Sequence, residues 1–169
     1  MRNISKKLLS RAEVSAVSNS LKQYGKKVVF TNGCFDILHV GHIELLESAK
    51  SLGDILVVGL NSDDSVKRLK GTGRPINSVR ERVRILSALE FVDYVVIFNE
   101  DTPYKLLQEV KPDFLIKGGD YSLDEIVGRD IVESYGGKVK VIQLLKGKST
   151  TDIINKIMQS ERVKHLDNK

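Results

Sequence analysis

Five short apolar runs punctuate the chain: Val28-Val29-Phe30, Ile55-Leu56-Val57-Val58, Tyr94-Val95-Val96-Ile97, Phe114-Leu115-Ile116 and Val139-Lys140-Val141-Ile142. They are short, mostly β-branched and nearly continuous in apolar character, which predicts strands of a parallel sheet covered on both faces. Between them the apolar positions change period. Leu45, Leu46, Ala49 and Leu52 recur at helical spacing within 41–52, and 81–89, 102–110 and 151–158 behave likewise. Strand, helix, strand from Val28 to Met158 predicts an α/β fold, a doubly wound parallel sheet of about five strands with helices on both faces. Ser10 to Tyr24 reads as a leading helix outside that repeat. The chain is therefore divided into an N-terminal helical extension (1–25), one α/β domain (26–158) and a polar C-terminal tail (159–169).

Composition agrees with a single globular domain: 169 residues, 41% hydrophobic, 29% charged and 6% aromatic. No apolar run approaches the roughly 18 residues of a membrane span. Met1 to Lys7 has the charge of a secretion signal but is followed by only Leu8-Leu9, so the expected location is cytoplasmic, with no membrane partner. The single cysteine, Cys34, excludes an intrachain disulfide and a cysteine-built zinc site. The net charge of +5 comes from scattered lysines and arginines without interleaved stacking aromatics. That points away from nucleic acid and towards small phosphorylated substrates.

Phosphate-binding motifs of the common kinds fail. Gly147-Lys148-Ser149-Thr150 mimics the end of a P-loop, but Ile142 stands where the first glycine belongs. The dinucleotide fingerprint is missing after the first long strand, which runs into Thr31-Asn32-Gly33-Cys34-Phe35-Asp36 with one glycine. What stands there instead is His39-Val40-Gly41-His42, where a loop enters a helix. Ligands gather at the carboxyl ends of strands in such sheets. A helix N-terminus offers unpaired N–H groups to an anion, and Gly41 permits close backbone approach. His39 and His42 then place two donors about one turn apart, suited to charge developing on a phosphoryl group. A pair this close also suits zinc, although no third ligand cluster accompanies it, and a histidine at a helix start can equally be plain surface.

The stretch Thr31 to His42 resembles the signature of the cytidylyltransferase-like nucleotidyltransferases. The resemblance continues through Asn61-Ser62-Asp63, Lys67-Arg68-Leu69-Lys70-Gly71, Arg74-Pro75-Ile76-Asn77 and Arg82. Lys117-Gly118-Gly119-Asp120-Tyr121 and Ser149-Thr150-Thr151-Asp152-Ile153-Ile154 complete it, so that it covers about Lys26 to Ile157. It is nearest to the branch that adenylylates heptose 1-phosphates, as half of a bifunctional kinase/adenylyltransferase or as a stand-alone homologue.

This resemblance implies a Rossmann-like sheet and transfer of AMP from ATP to a sugar 1-phosphate, giving an ADP-sugar and pyrophosphate. Such transfer needs donors and cations more than a nucleophile. By resemblance His39, His42, Lys70 and Lys117 are the catalytic groups. Thr31, Asn32, Gly33, Cys34, Phe35, Gly41, Arg82, Gly118, Gly119, Asp120, Ser149, Thr150 and Thr151 bind the nucleotide, and Asp36, Lys67 and Arg74 serve the sugar phosphate. Several have ordinary alternatives: Ser149 with Asp152 makes a capping box, Asp36 can cap a turn, Arg82 can be a surface ion-pair residue, and Lys67 to Lys70 can be a solvated helix end. The cation beside Ser149 is Lys146 or Lys148, where related cytidylyltransferases carry arginine. Magnesium is expected with ATP rather than on a protein site, and a homodimer and a separate sugar kinase are the implied partners. A glycerol-3-phosphate cytidylyltransferase and an inactive nucleotide-binding module are the competing assignments.

Overall fold

The computed structural model describes residues 4–119, 122–143, 147 and 149–167. A 3₁₀ turn at Ile4–Lys7 leads into β1 (Leu8–Leu9) and α1 (Arg11–Gln23). The repeat follows: β2 (Val28–Gly33), α2 (Val40–Lys50), β3 (Ile55–Asn61), α3 (Asp63–Lys70), α4 (Val79–Ala88) and β4 (Tyr94–Phe98). It ends with α5 (Tyr104–Val110), β5 (Phe114–Gly118), a second 3₁₀ turn at Leu123–Glu125, α6 (Arg129–Ser134), β6 (Lys138–Ile142) and α7 (Thr150–Asp167).

All strand pairs are parallel, in the order β1-β4-β3-β2-β5-β6. The five strands read from the sequence are all present, and β1 adds a sixth beside β4, too short to leave a periodic signal. Alternation along each strand sorts the core into two layers. Val28, Phe30, Val57, Val96 and Leu115 pack with Val14 of α1 and with Leu106, Leu107 and Val110 of α5. Val29, Leu56, Val58, Val95 and Ile116 face the opposite way, onto Leu45, Leu46 and Ala49 of α2 and Leu86 of α4. The leading helix thus belongs to the packing: α1 is capped by Ser10 in a capping box with Glu13, and its Val14 is fully buried. Two helices carried too little apolar periodicity to be expected. In α3 the only buried apolar side chain is Val66, and in α6 it is Val132. The polar stretch after Gln159 is helical as far as Asp167, continuing α7.

Strand order reverses at β2, with β3 on one side and β5 on the other, so the β2–β5 crevice is the topological switch point. Arg82, on α4, holds the loops beside it. Its side chain is fully buried. Nε donates to the Asn77 carbonyl at 3.0 Å, Nη1 to the carbonyls of Cys34 at 2.7 Å and Asn61 at 2.8 Å, and Nη2 to Asp63 at 2.7 Å. Arg82, expected to bind nucleotide, is placed away from the cleft. Its guanidinium is consumed by the protein and does not line the cleft described below.

Arg82→Ala should cost about 3–5 kcal/mol of unfolding free energy, the usual loss when one side of a buried charged network is removed. Arg82→Lys should recover little of it, because an ammonium cannot reproduce the planar fork of donors. Urea denaturation of the two variants checks this, and a lysine variant as stable as the parent would show that charge alone suffices.

Candidate active site

The carboxyl ends of β2, β3 and β5 open into a cleft of about 470 Å³, also walled by the N-terminal ends of α2 and α7. Its lining brings together Asn32, Gly33, Cys34, Phe35, Asp36, His39 and His42 from the first βα connection. Lys70 and Arg74 join from the α3–α4 side, Lys117 and Gly118 from β5, and Ser149, Thr150 and Thr151 from the start of α7.

The β2–α2 connection is shaped by one unusual residue. Phe35 has φ +45°, the left-handed region that L residues seldom adopt. Its ring lies 5.1 Å from that of His42. A Cβ on Gly33 would come within 3.1 Å of the Phe35 ring, so glycine is what lets the ring fold back over the strand end. Next to it, His39 and His42 stack with ring centroids 3.8 Å apart. His39 is the N-cap of α2 but makes no side-chain cap bond, and the Nδ1 atoms of both histidines are buried without a hydrogen-bond partner among the described residues. Burial holds both imidazoles below their ordinary value, His42 at about 4, with the neighbouring His39 adding to its shift. In the free protein they are neutral at pH 7. An anion placed against them would favour the charged forms.

Lys117 continues the theme from the other side of the switch point. Its ammonium donates to Asn32 Oδ1, no carboxylate pairs with it among the described residues, and burial lowers its pKa to about 8. A cation held this way lacks a counter-charge, which a phosphate would supply. At the start of α7, Ser149 and Asp152 form the reciprocal cap: Ser149 Oγ donates to the Asp152 carboxylate at 2.7 Å and receives the Asp152 N–H at 3.0 Å. Thr150 Oγ1 donates to the Ile37 carbonyl at 3.2 Å, tying α7 to the β2–α2 connection. Burial pushes the Cys34 thiol up, which keeps it protonated.

Other expected residues take different places. Asp36 is almost completely buried, and its carboxylate accepts from Arg74 Nε at 2.6 Å and from the Ile76 and Asn77 N–H groups at 2.8–2.9 Å. Burial would raise its pKa, but these donors outweigh it and hold the carboxyl below its usual range. Both oxygens are spent on the 74–77 turn, so Asp36 serves as the turn cap and not as a substrate ligand. Arg74 is thereby aimed into the cleft with its Nη groups unpartnered among the described residues. Lys67 sits one turn back from the end of α3, exposed and 3.8 Å from Asp64, outside the cleft lining. Lys70, the last residue of α3 before Gly71 (φ +89°), does line it. Thr31 and Gly41 are buried behind the lining, the former with its hydroxyl unpartnered among the described residues. Gly119 donates its N–H to Ile142 at 3.0 Å and does not line the cleft. Asp120, Tyr121, Lys146 and Lys148 lie outside the described residues.

Of the other lining residues, Asp101 carried no assignment in the sequence, Leu45 was read only as part of a helical stripe, and Leu69 appeared only within the resemblance. Asn61 appeared only within the resemblance. Asn61 was findable as a polar residue ending an apolar strand; it is buried and donates to Ser65 Oγ at 2.9 Å. Among the described residues no group of three or more His, Cys, Asp or Glu side chains could hold a metal ion. No helix among them is long and apolar enough to cross a membrane.

The family model described as cytidylyltransferase-like matches residues 30–163. The chain is 55% identical over 147 residues to the bifunctional protein HldE of Geobacter metallireducens, covering 87% of this chain and 30% of that one. It is 60% identical over 136 residues to the bifunctional protein HldE of Citrifermentans bemidjiense, covering 80% and 28%. The chain therefore spans less than a third of the length of these relatives. Among solved structures it is similar to the lipopolysaccharide core biosynthesis protein of Thermoplasma volcanium, with TM-score 0.60 and 33% identity over 73% of this chain and 99% of that one.

The histidine burial predicts a pH dependence of stability. Below 6.5 an unfolded His42 binds a proton that the folded one does not take up until about 4. Stability from this group is complete above 6.5 and is lost as pH falls towards 4. The urea midpoint of the ligand-free protein should fall through that window, and the fall should be shallower in His42→Asn. Identical slopes in the two proteins would place the titrating group elsewhere.

Proposed function

The chain belongs to the cytidylyltransferase-like family, and from that membership we propose that it is a nucleotidyltransferase. It transfers AMP from ATP to a sugar 1-phosphate, D-glycero-D-manno-heptose 1-phosphate, giving ADP-heptose and pyrophosphate. A phosphate oxygen of the acceptor attacks the α-phosphorus, the bond to the bridging oxygen of the β-phosphate breaks, and pyrophosphate leaves. The observation that carries this reading is the stacked pair His39 and His42, half-buried, neutral and with both Nδ1 atoms buried and unpartnered among the described residues, facing a cleft otherwise rich in cations and hydroxyls. The choice of sugar rests on the heptose-type wording of Lys117-Gly118-Gly119-Asp120-Tyr121. It is supported by similarity to a protein of lipopolysaccharide core biosynthesis.

Each part of the cleft then has a task. His39 and His42 donate to the phosphate oxygens, gaining strength as charge develops on them. The free N–H groups of α2 and α7 and the hydroxyls of Ser149, Thr150 and Thr151 receive the outer phosphates. Backbone groups of Gly33, Cys34 and Phe35 lie against the α-phosphate, with Gly118 near the nucleoside. Lys117 and Arg74 neutralise the acceptor phosphate, and Lys70 closes over the triphosphate from the end of α3. Magnesium enters with ATP, since the described residues offer no protein cage for it. The resemblance further supports a homodimer, a cytoplasmic setting where ATP is at hand, and a sugar kinase as source of the acceptor.

Pyrophosphate release across ATP and CTP, each with heptose 1-phosphate and glycerol 3-phosphate, should peak for ATP with the heptose and require magnesium. A preference for CTP with glycerol 3-phosphate would overturn the substrates, and no turnover with any pair would favour an inactive binding module. His42→Ala should lower kcat by about 10²-fold with a much smaller change in ATP affinity. His39→Ala should behave alike, and the double variant should lose less than the product of the two. Near-normal turnover by folded double variant would remove the histidines from the mechanism. Lys117→Ala should abolish most turnover. Lys70→Ala should act on kcat more than on ATP affinity, and the reverse split would make Lys70 a simple binding group.

A further inference from the structure

The cleft has a side chamber. A second cavity of about 200 Å³ shares Asn32, Asp101 and Lys117 with the main one and extends between the β4–α5 loop and residues 125–127. We propose that this chamber is the acceptor subsite, in which Asp101, Thr102 and Glu125 receive the hydroxyls of a polyhydroxylated sugar whose phosphate meets Lys117. The proposal rests on the adenylyl-transfer reading above, which places only the acceptor's phosphate, and names residues for its sugar.

Charge separates the two chambers. The main one is lined by three cations, Lys70, Arg74 and Lys117, against Asp36, already neutralised by Arg74, and Asp101, which it shares with the side chamber. Among the described residues the side chamber has Lys117 as its single cation, and two carboxylates, Asp101 and Glu125, share its wall. A triphosphate is repelled there, whereas sugar hydroxyls donate well to carboxylates. Both carboxylates have capacity left. Asp101 accepts from Arg68 through Oδ1 and Glu125 from the Ser122 N–H through Oε2, and the second oxygen of each has no partner among the described residues. Those existing bonds also fix the two acids in position. Ile126, buried in the domain core, gives the chamber an apolar surface on which the C–H face of a sugar can rest. At about 200 Å³ the chamber is less than half the size of the main one.

Position supports the same assignment. Lys117 and Asn32 are bonded to each other and belong to both cavities, so a phosphate on Lys117 is at the junction. A sugar in the side chamber therefore presents its phosphate to the nucleotide chamber, as attack on an α-phosphorus requires. An acceptor as short as glycerol 3-phosphate reaches Lys117 but leaves the carboxylates unfilled, which gives the chamber a role in specificity.

The test is steady-state kinetics on the full chain with Asp101→Asn/Glu125→Gln and with Thr102→Ala, using heptose 1-phosphate and ATP. The double variant should raise KM for the sugar phosphate about tenfold or more, as expected for losing two hydrogen bonds to charged acceptors. KM for ATP and kcat should move by less than about threefold, the pattern of a binding element confined to one substrate. Thr102→Ala should shift the same constant in the same direction. The melting temperature reports folding separately. An unchanged KM for the sugar phosphate in an active double variant overturns the subsite and leaves the adenylyl-transfer reading standing. Equal rises in both KM values overturn it by placing the nucleotide in the chamber. A wild-type protein that releases no pyrophosphate from any triphosphate and acceptor overturns the reading, and the subsite with it.

Discussion

The guanidinium of Arg82 reaches four groups that are far apart in sequence and adjacent in the cleft wall: the carbonyls of Cys34, Asn61 and Asn77 and the carboxylate of Asp63. A buried cation is costly to desolvate, and this one is tolerated because oxygen acceptors surround it on three segments. Cys34 lies just ahead of the histidine pair, Asn61 ends β3, Asp63 begins α3, and Asn77 closes the turn that carries Arg74. Without the guanidinium those carbonyls would be left buried and unpaired, and the loops would have no common reference.

Asp36 is the counterpart of opposite sign. Asn77 joins the two: its N–H donates to the Asp36 carboxylate, its side-chain amide to the Asp36 carbonyl, and its own carbonyl accepts from Arg82. A buried anion and a buried cation thus grip the same residue from opposite ends. The consequence for chemistry is indirect. Asp36 and Arg82 spend their charge on geometry, which leaves Arg74, Lys70 and Lys117 as the cations aimed at ligand.

Burial biases three of the groups facing the cleft towards their neutral forms, completely for the histidines at pH 7 and only partly for Lys117, which stays mostly protonated. Burial keeps His39 and His42 neutral and moves Lys117 to about 8. Phosphates arriving in this space reverse each of those biases, because an adjacent anion favours the protonated form of all three. The two neutral histidines therefore add no charge to the cations of the free cleft, yet present donors where the negative charge of an in-line transfer accumulates. The side chamber continues the same logic with inverted sign, its carboxylates suited to hydroxyls and unsuited to phosphates.

Apolar periodicity alone determined the five main strands, the helices α2, α4, α5 and α7, the parallel doubly wound sheet and, through the strand-end rule, the cleft edge where His39, His42 and Lys117 stand. Those features are local: a run of β-branched residues or a helical stripe is written in consecutive positions. Tertiary structure decided what consecutive positions cannot encode. Arg82 on an amphipathic helix looked like a ligand or a surface residue, and only the convergence of three loops showed it to be buried. Asp36 was legible as polar, but its partners lie about forty residues away in the 74–77 turn. β1 exists because β4 offers it an edge, and α3 holds because Ser62 caps it and Val66 fills the core. Asp101 and Glu125 meet around one chamber through the packing of separate crossovers, and no spacing in the chain announces it.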